Sequence, residues 1–297
     1  MTEIRYRDRQ TGMIISETIL MEDTLRCFYE NPLGFEIFNR LLNNSFFCWF
    51  IGKWQDRPGN QKRIREFVAK YNIAIQEAEL PLEKYSNFNQ FFSRRLKLDA
   101  RPFVTDPNVL TSPADGKIIV YPRLEQKSLI PVKGGLISID VLLAGDASAK
   151  TYLGGSALVL RLAPYDYHRF HFIDDGLAGY VRNIPGRYHS VNPIALDKIP
   201  QLYCRNKRTF TEFISKHFGR IAYVEVGAFC VGTIIQTFAP GCVTRGQEKG
   251  VFRFGGSTVV LLFEAGTIRF DDDLIADSKQ GLEVQVQAGS RIGIKQY

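Results

Sequence analysis

The chain has 297 residues, a formal net charge of +7, and a composition that is 45% hydrophobic and 23% charged. These values are typical of a globular protein with one large domain or two modest ones, and they exclude an intrinsically disordered chain. The basic balance favours an anionic partner. Because the sequence holds no nucleic-acid-binding motif, we expect that partner to be an acidic lipid surface and not a nucleic acid.

The cysteines and the start of the chain bear on the compartment. Their odd number and the lack of a CxxC pair predict free thiols in a reducing environment. The cysteines are Cys27, Cys48, Cys204, Cys230 and Cys242. The opening MTEIRYRDRQTG is charged, so no signal peptide is predicted. The uncharged run 226–244 is broken by glycines and a proline, so no transmembrane helix is predicted either.

The first third of the chain is predicted to be helical after an extended lead-in at residues 1–20. Helices are predicted to begin at Asn31-Pro32, after Gly59-Asn60 and after Ser86-Asn87. Asparagine is a favoured N-cap and proline a favoured first helical residue, which is why Asn31-Pro32 marks a helix start.

These helices are also aromatic and basic, which leaves two interpretations open. Their apolar faces can pack on the domain core, or they can anchor the protein at a membrane interface. Trp49 and Trp54 support the second interpretation because cations surround them in the sequence. The cations are Lys53, Arg57, Lys62 and Arg63. Both interpretations hold if different faces serve the two purposes.

From about residue 109 the pattern changes to short apolar runs separated by glycine and proline, which predicts strands. The runs are KIIVY (117–121), ALVLRL (157–162), IAYVEVGAF (221–229), VGTIIQTF (231–238) and STVVLLFE (257–264). We therefore predict an α+β fold. It has a helical, membrane-associating N-terminal region at 1–100 and a mostly antiparallel β-rich catalytic domain at 101–297.

Two of the four histidines, His168 and His171, fall within PYDYHRFH. Histidine is the side chain best suited to proton transfer near neutral pH. In an extended segment a spacing of three places the two rings on opposite faces, so they need not share a role. Structural histidines and a zinc site are the alternatives; with no supporting cysteine pair or EH signature, we predict no metal.

Two turn-like motifs could also carry chemistry. In SPADG (112–116), Asp115 either caps a turn or orients a histidine as an aspartate does in a catalytic triad. GGST (255–258) precedes a predicted strand, but so does Gly154-Gly155-Ser156, and a turn is the default meaning of both. The GxSxG elbow of common hydrolases is absent around Ser257.

Taken together and in order, these segments resemble the phosphatidylserine decarboxylase proenzymes over roughly residues 85–295. The motifs are SPADGKI, VKGG (132–135), APYDYHRFH (163–171), LYCRNKR (202–208), VEVGAFCVGTI (224–234) and KGVFRFGGSTVVLLFE (249–264). Many family members have Leu-Gly-Ser-Thr where this chain has Gly255-Gly256-Ser257-Thr258. That difference lies before the Gly-Ser bond.

The resemblance implies a covalent pyruvoyl cofactor made from Ser257, and it implies an enzyme stored as a zymogen. The Ser257 hydroxyl attacks the carbonyl of Gly256, and the chain then breaks into a β chain (1–256) and an α chain (257–297). By family match, His171 is the base and Asp115 holds its ring, which completes a charge relay with Ser257. His168 is matched to decarboxylation or protonation, and we expect it to have an ordinary pKa.

The implied reaction converts phosphatidylserine to phosphatidylethanolamine and CO2 through a Schiff base on the pyruvoyl group. A diacyl lipid stays in the bilayer, so we expect a peripheral protein at the cytoplasmic face of the cell membrane. The α and β chains would form a heterodimer, and the family suggests a homo-oligomer of these.

Three alternatives to this reading remain open. The first is a serine hydrolase that uses Ser257, His171 and Asp115 without self-cleavage. The second is a non-enzymatic binding module, and the third is a pyruvoyl enzyme for a soluble amino acid.

Overall fold

The computed structural model describes residues 4–124, 129–132, 135–229, 233–255 and 257–296. Its α-helices are α1 (Glu22–Glu30), α2 (Pro32–Ile37), α3 (Ser45–Gln55), α4 (Gln61–Lys70), α5 (Phe88–Phe92), α6 (Ile139–Leu142), α7 (Pro193–Leu196), α8 (Leu202–Arg205) and α9 (Asp272–Lys279). A π-helical segment, Phe38–Leu42, continues α2, and 3-10 turns lie at Ile75–Glu77, Leu82–Lys84 and Ala147–Tyr152.

The strands of the described residues follow in chain order. They are β1 (Arg5–Asp8), β2 (Ile14–Ser16), β3 (Val109–Thr111), β4 (Gly116–Tyr121), β5 (Leu129–Val132), β6 (Gly135–Ser138), β7 (Ser156–Leu162), β8 (Arg169–His171), β9 (Gly176–Ala178), β10 (Arg182–Ile184), β11 (Arg208–Ser215), β12 (Gly219–Gly227), β13 (Ile234–Gln236), β14 (Gly241–Val243), β15 (Glu248–Phe252), β16 (Ser257–Phe263), β17 (Ile268–Phe270), β18 (Glu283–Val286) and β19 (Arg291–Lys295).

The predicted helix starts are confirmed. Asn31 accepts hydrogen bonds from the amides of Leu33 and Gly34 at 2.9 and 3.2 Å, with Pro32 at the first helical position of α2. Asn60 precedes α4, and Asn87 caps α5 through the amide of Gln90 at 2.9 Å. Side-chain capping therefore marks the starts of α2 and α5, whereas Asn60 makes no capping hydrogen bond at the start of α4.

The predicted strands also form, and most of them join one large sheet. Its order is β14-β9-β11-β12-β16-β7-β4-β18-β1-β2, with β10 paired to β11. Pairing is antiparallel throughout this sheet except between β1 and β18. Two three-stranded sheets, β13-β15-β8 and β17-β19-β3, and the β5-β6 hairpin complete the described strands. The predicted α+β class is confirmed.

Both faces of the central strand β16 are buried, which explains its continuous apolar run. Val260 and Leu262 pack in a cluster with α1 and the short helices α6, α7 and α8. Val259 and Leu261 pack in a second cluster with β8, β15, β17 and β19. Ser257 has the same parity as Val259, so the pleat directs its side chain toward the small β sheets.

The N-terminal helices differ in whether their aromatic side chains pack on the core or face solvent. α5 buries Phe88, Phe91 and Phe92 in a third apolar cluster. α3 instead exposes Phe46, Trp49, Phe50 and Trp54. The domain boundary near residue 100 stays a prediction. In the described residues no helix is both long and apolar enough to cross a membrane.

Candidate active site

Ser257 is the first residue of β16 and is completely buried. Its Cα pairs with Gly227 of β12 on one side and with Leu162 of β7 on the other. Because both neighbouring strands pair with β16 along its whole length, the position of Ser257 is set by the sheet and not by the preceding turn. Gly256 lies outside the described residues.

His168 is the titratable group in contact with this serine. Its Nδ1 lies 3.4 Å from Ser257 Oγ, and its Nε2 lies 3.1 Å from the carbonyl oxygen of Ala163. A carbonyl oxygen can only accept, so Nε2 carries the proton and Nδ1 presents its lone pair to the hydroxyl. Phe92 stacks on the ring at a centroid distance of 3.9 Å and holds its plane.

The pKa of His168 is lowered from its ordinary value to about 3. Burial is the largest cause, because a charged imidazolium loses its hydration in this apolar site, and the positive charge of Arg94 adds to the effect. The expectation of an ordinary pKa for His168 is therefore wrong. The ring is therefore neutral at physiological pH, and the same burial makes it a weaker base than imidazole in water.

The turn that presents the Ala163 carbonyl is fixed by a buried ion pair. Asp166 accepts a hydrogen bond from the amide of Ala163 at 2.7 Å, and the amide of Asp166 donates to the Ala163 carbonyl at 2.9 Å. Lys117 contacts the Asp166 carboxylate at 2.9 and 3.0 Å and is fully buried. The Lys117–Asp166 pair thus fixes the acceptor that selects the tautomer of His168.

His171 lies apart from Ser257 and has other partners. Its Nδ1 lies 3.0 Å from the carbonyl oxygen of Gly246, and its Nε2 lies 3.3 Å from the hydroxyl of Tyr167. Burial lowers its pKa, and the charge of Asp115 opposes that change. The two histidines thus have separate surroundings, as their spacing of three predicts.

Asp115 is held by groups other than a histidine. Arg101 donates to both of its carboxylate oxygens at 2.7 to 3.0 Å, and the amide of Ala288 donates to it at 2.8 Å. The structure therefore brings Ser257 and His168 together, and it gives Asp115 and His171 separate hydrogen-bond partners.

Gly255, two residues before Ser257, adopts a conformation that favours glycine. Gly255 has a φ of 130°, a region that residues with a Cβ rarely adopt. Gly154, the corresponding first glycine of Gly154-Gly155-Ser156, also has a positive φ, 71°, and Gly155 is glycine for a steric reason. A Cβ there would lie 1.9 Å from the carbonyl oxygen of Phe263. Both motifs therefore begin with a glycine in a conformation that residues with a Cβ rarely adopt.

An open cleft of about 710 Å³ reaches the glycine turn. Gly255, Phe254 and Ala163 line it; Gly255 lies two residues before Ser257, and the Ala163 carbonyl contacts His168. Its remaining wall is mostly apolar and comes largely from residues 17–25 and 190–192. Arg161 also lines it, with its charge neutralised by Glu17 and Glu283. This shape suits a ligand with an apolar body.

Sequence reasoning did not find Phe92, Lys117 or the Ala163 carbonyl. Phe92 appeared only as one more apolar residue of a helix, and Lys117 as the first residue of a strand. For Lys117, the sequence offered one signal, namely a lysine in the predicted buried strand KIIVY (117–121). The contact of Phe92 with His168 spans 76 positions, and no local pattern encodes it.

The other histidines have hydrogen-bonded surroundings. His217 Nδ1 lies 2.9 Å from Asp174, and His189 contacts Asn43. Among the residues that the structure describes, no group of three or more histidine, cysteine or acidic side chains is placed to hold a metal ion.

A buried serine hydroxyl in contact with the unprotonated nitrogen of a neutral histidine is an arrangement typical of enzyme active sites. Comparison with known proteins identifies the family of this chain. The phosphatidylserine decarboxylase family model matches residues 88–294. A phosphatidylserine decarboxylase proenzyme of Clostridium novyi (strain NT) is 43% identical over 98% of this chain and 99% of its own.

Two further proteins with that name show the same degree of similarity. The Clostridium botulinum (strain Langeland) protein is 44% identical over 98% of this chain and 99% of its own. The Chlamydia muridarum protein is 43% identical over 98% of this chain and 97% of its own. The chain therefore belongs to the phosphatidylserine decarboxylase family. The predicted resemblance is confirmed, and the serine hydrolase alternative is not favoured.

Proposed function

We propose that this chain cleaves itself between Gly256 and Ser257 and then decarboxylates phosphatidylserine to phosphatidylethanolamine and CO2. The observation that supports this most directly is the buried contact between Ser257 Oγ and the unprotonated nitrogen of neutral His168. The proposed reaction is that of the family to which the chain belongs. The contact provides a nucleophile, Ser257 Oγ, and a proton acceptor, His168 Nδ1.

In the precursor, Ser257 Oγ attacks the carbonyl carbon of Gly256, and the Gly256–Ser257 C–N bond breaks as the peptide rearranges to an ester. Elimination from that ester breaks the chain and leaves a carboxylate on Gly256, and water then releases the nitrogen of residue 257 as ammonia to give the pyruvoyl ketone. His168 Nδ1 accepts the hydroxyl proton in the attack. The ring is already neutral and correctly oriented, so proton acceptance requires no prior deprotonation. The positive φ at Gly255 bends the chain just before the bond that is attacked.

The relay of Asp115, His171 and Ser257 is the second candidate for this step, and the family resemblance supports it. It requires a rearrangement, because His171 must leave Tyr167 or Gly246 to reach the serine.

The surroundings of residue 257 fit a pyruvoyl group formed there. After cleavage, strand β16 stays paired with Gly227 and Leu162, so its new first residue keeps its place. Gly255 lines the cleft and directly precedes the new chain end at Gly256, so release of that end would open the cleft toward residue 257. When present, the ketone of a pyruvoyl group supplies the electron sink that decarboxylation needs. His168, whose Nδ1 contacts residue 257, is the group that would return a proton to the substrate carbon.

The lipid substrate accounts for the exposed aromatic face of α3. Phe46 is 74% exposed, Trp49 57% and Phe50 52%, which is unusual for such large apolar side chains in water. We propose that this face enters the interface of an anionic membrane and that the net charge of +7 assists. Because anionic lipid is concentrated in the cytoplasmic leaflet, we place the protein there as a peripheral enzyme. Its α and β chains remain a heterodimer, and a homo-oligomer of these is proposed from the family.

Release of CO2 from vesicles that contain phosphatidylserine tests the proposal. The wild-type chain is expected to release CO2, and Ser257→Ala is expected to release none and to stay uncut. Ser156→Ala is the matched control, because Ser156 also follows two glycines and begins a buried strand. CO2 release by Ser257→Ala at the wild-type rate would refute the proposal. Reaction of an uncut wild-type chain with a serine-directed phosphonate would favour the hydrolase.

A further inference from the structure

One buried asparagine joins helix α3 to the segment that precedes the cleavage bond. Asn89 lies in α5 and is 2% exposed. Its Oδ1 accepts a hydrogen bond from the amide of Phe254 at 3.2 Å. Its Nδ2 donates to the carbonyl of Gly52 at 3.0 Å and to Asp56 Oδ1 at 2.9 Å, and both of these acceptors belong to α3 or its C-cap. The proposed reaction assigns Asn89 no role.

The partners of Asn89 leave one orientation for its amide group. The N–H of Phe254 can only donate, whereas the Gly52 carbonyl and the Asp56 carboxylate can only accept. Rotation of the amide by 180° would break all three hydrogen bonds at a buried site, where unpaired polar groups are costly. The side chain is therefore fixed, and it links the position of α3 to the backbone at Phe254.

Phe254 lies in the short connection that leads to the cleavage bond. β15 ends at Phe252, Gly255 has its φ of 130°, and β16 begins at Ser257. The hydrogen bond from Phe254 to Asn89 thus holds the chain between the end of one strand and the glycine that bends it. A displacement of about 1 Å in a reacting group can lower a rate about 10²-fold, so a fixed Phe254 favours the approach that the attack needs.

α5 also contacts the proton acceptor, so one helix bears on both reacting groups. The rings of Phe88 and Phe92 pack edge to face against the ring of Phe254, at centroid distances of 5.2 and 5.3 Å. Phe92 in turn stacks on the ring of His168. Asn89 lies between these two phenylalanines in the sequence. α5 therefore holds Phe254 relative to His168, and Asn89 provides the polar part of that contact.

We propose that Asn89 is a positioning residue for self-cleavage, which acts by holding the backbone of Phe254 against α3 and α5. The inference rests on the proposed cleavage between Gly256 and Ser257, and it does not require Asn89 to touch the reacting atoms. Since α3 carries the exposed aromatic face, the same contact joins the helix proposed to enter the membrane to the turn at which the chain is cut.

The rate of self-cleavage after cell-free synthesis, measured by gel densitometry, tests the proposal. Asn89→Ala removes all three hydrogen bonds, and we expect it to slow cleavage about tenfold to 10²-fold. Asn43→Ala is the matched control, because Asn43 is 1% exposed and also accepts a backbone hydrogen bond, from the amide of Tyr188 at 2.6 Å. We expect Asn43→Ala to cleave at the wild-type rate. Urea unfolding of both substitutions in the Ser257→Ala chain should show similar losses of unfolding free energy.

An exchange of side chains between the two partners separates positioning from packing. Asn89→Asp keeps an acceptor for Phe254, but it loses both donors and faces the Asp56 carboxylate, so it should slow cleavage. Adding Asp56→Asn restores a donor opposite the new carboxylate and should recover most of the lost rate. Asp56→Asn alone controls for the loss of the 3.7 Å contact between Asp56 and Arg253, and we expect it to cleave normally.

Three outcomes would overturn this inference. Wild-type cleavage by Asn89→Ala would remove the positioning role. Equal slowing by Asn89→Ala and Asn43→Ala would make Asn89 one more residue that the fold needs. Cleavage by the exchanged pair as slow as by Asn89→Asp would show that the contact with α3 does not position Phe254. An uncut wild-type chain would overturn the proposed function as well, so the two failures are distinguishable.

Discussion

At the scale of single residues, His168 illustrates how surroundings decide chemistry. The same side chain in water has a pKa near 6.5 and is partly charged at neutral pH. Here burial, the stacked Phe92 ring and the carbonyl of Ala163 give one neutral tautomer that faces Ser257. The sequence identifies His168 and His171 as candidates for proton transfer, but it does not show which of them contacts Ser257.

Glutamine substitutions compare the two histidines directly. We expect His168→Gln to slow self-cleavage about 10²- to 10⁴-fold, the usual contribution of a positioned proton acceptor. His171→Gln should slow it much less, because His171 bonds to Tyr167 and Gly246 in the precursor. Gel densitometry of uncut chain against time after synthesis measures both rates. Arrest in His171→Gln with normal cleavage in His168→Gln would assign the step to the Asp115–His171 relay instead.

The lowered pKa of His168 also predicts how stability depends on pH. The folded-state pKa, about 3, lies below the unfolded value of about 6.5, so unfolding takes up a proton between these values. The stabilisation is complete above pH 6.5 and decreases by up to about 1.4 kcal/mol per pH unit as the pH falls toward 3. Urea unfolding at pH 7 and pH 5 measures it in the uncut Ser257→Ala chain.

His168→Gln in the Ser257→Ala chain should reduce the loss of unfolding free energy between pH 7 and pH 5 by the contribution of one histidine. His189, with a pKa of about 4, contributes a similar slope that the variant leaves in place. If the two chains lose the same free energy of unfolding between pH 7 and pH 5, His168 is not held neutral in the fold.

At the scale of elements, the turn before β16 is expected to determine whether self-cleavage occurs. Gly255→Ala places a Cβ at a φ of 130°, which we expect to destabilise the precursor by roughly 1–3 kcal/mol and to slow cleavage. Gly266→Ala is the control, because Gly266 has a φ of 73° in a turn where a Cβ would meet no atom within 4 Å. Equal cleavage rates in the two variants would show that the turn has no role.

The sequence predicts elements well where the signal is local. Asn31 and Asn87 mark helix starts by capping bonds within three residues, and the apolar run of β16 marks a strand buried on both faces. Long-range pairings carry no such signal. The parallel pairing of Tyr6 with Glu283 joins opposite ends of the chain, and the contact of Phe92 with His168 depends on how α5 packs.

At the scale of the whole molecule, the cations near α3 and α4 differ in role. Lys53, Arg57 and Lys62 are exposed. Arg63 is half-buried over the rings of Trp54 and Phe88, at 5.2 and 4.6 Å. Of the four cations predicted to attract a membrane, the first three are free to face one, and Arg63 stabilises the packing of the helices.

Salt dependence tests that division. Charge removal by Lys53→Gln, Arg57→Gln and Lys62→Gln together should weaken binding to phosphatidylserine vesicles more at low salt than at high salt, because salt screens exposed charges. Trp49→Ala with Phe50→Ala should weaken binding equally at both, because the aromatic contribution is apolar. Vesicle co-sedimentation measures both. Equal weakening by the triple variant at low and high salt would contradict an electrostatic anchor.

The intact mass of the purified protein under denaturing conditions tests self-cleavage at Ser257 most directly. We predict two chains, residues 1–256 and 257–297, the smaller of which lacks a free amino group and reacts with carbonyl reagents. A single uncut chain from protein that releases CO2 from phosphatidylserine would contradict this account.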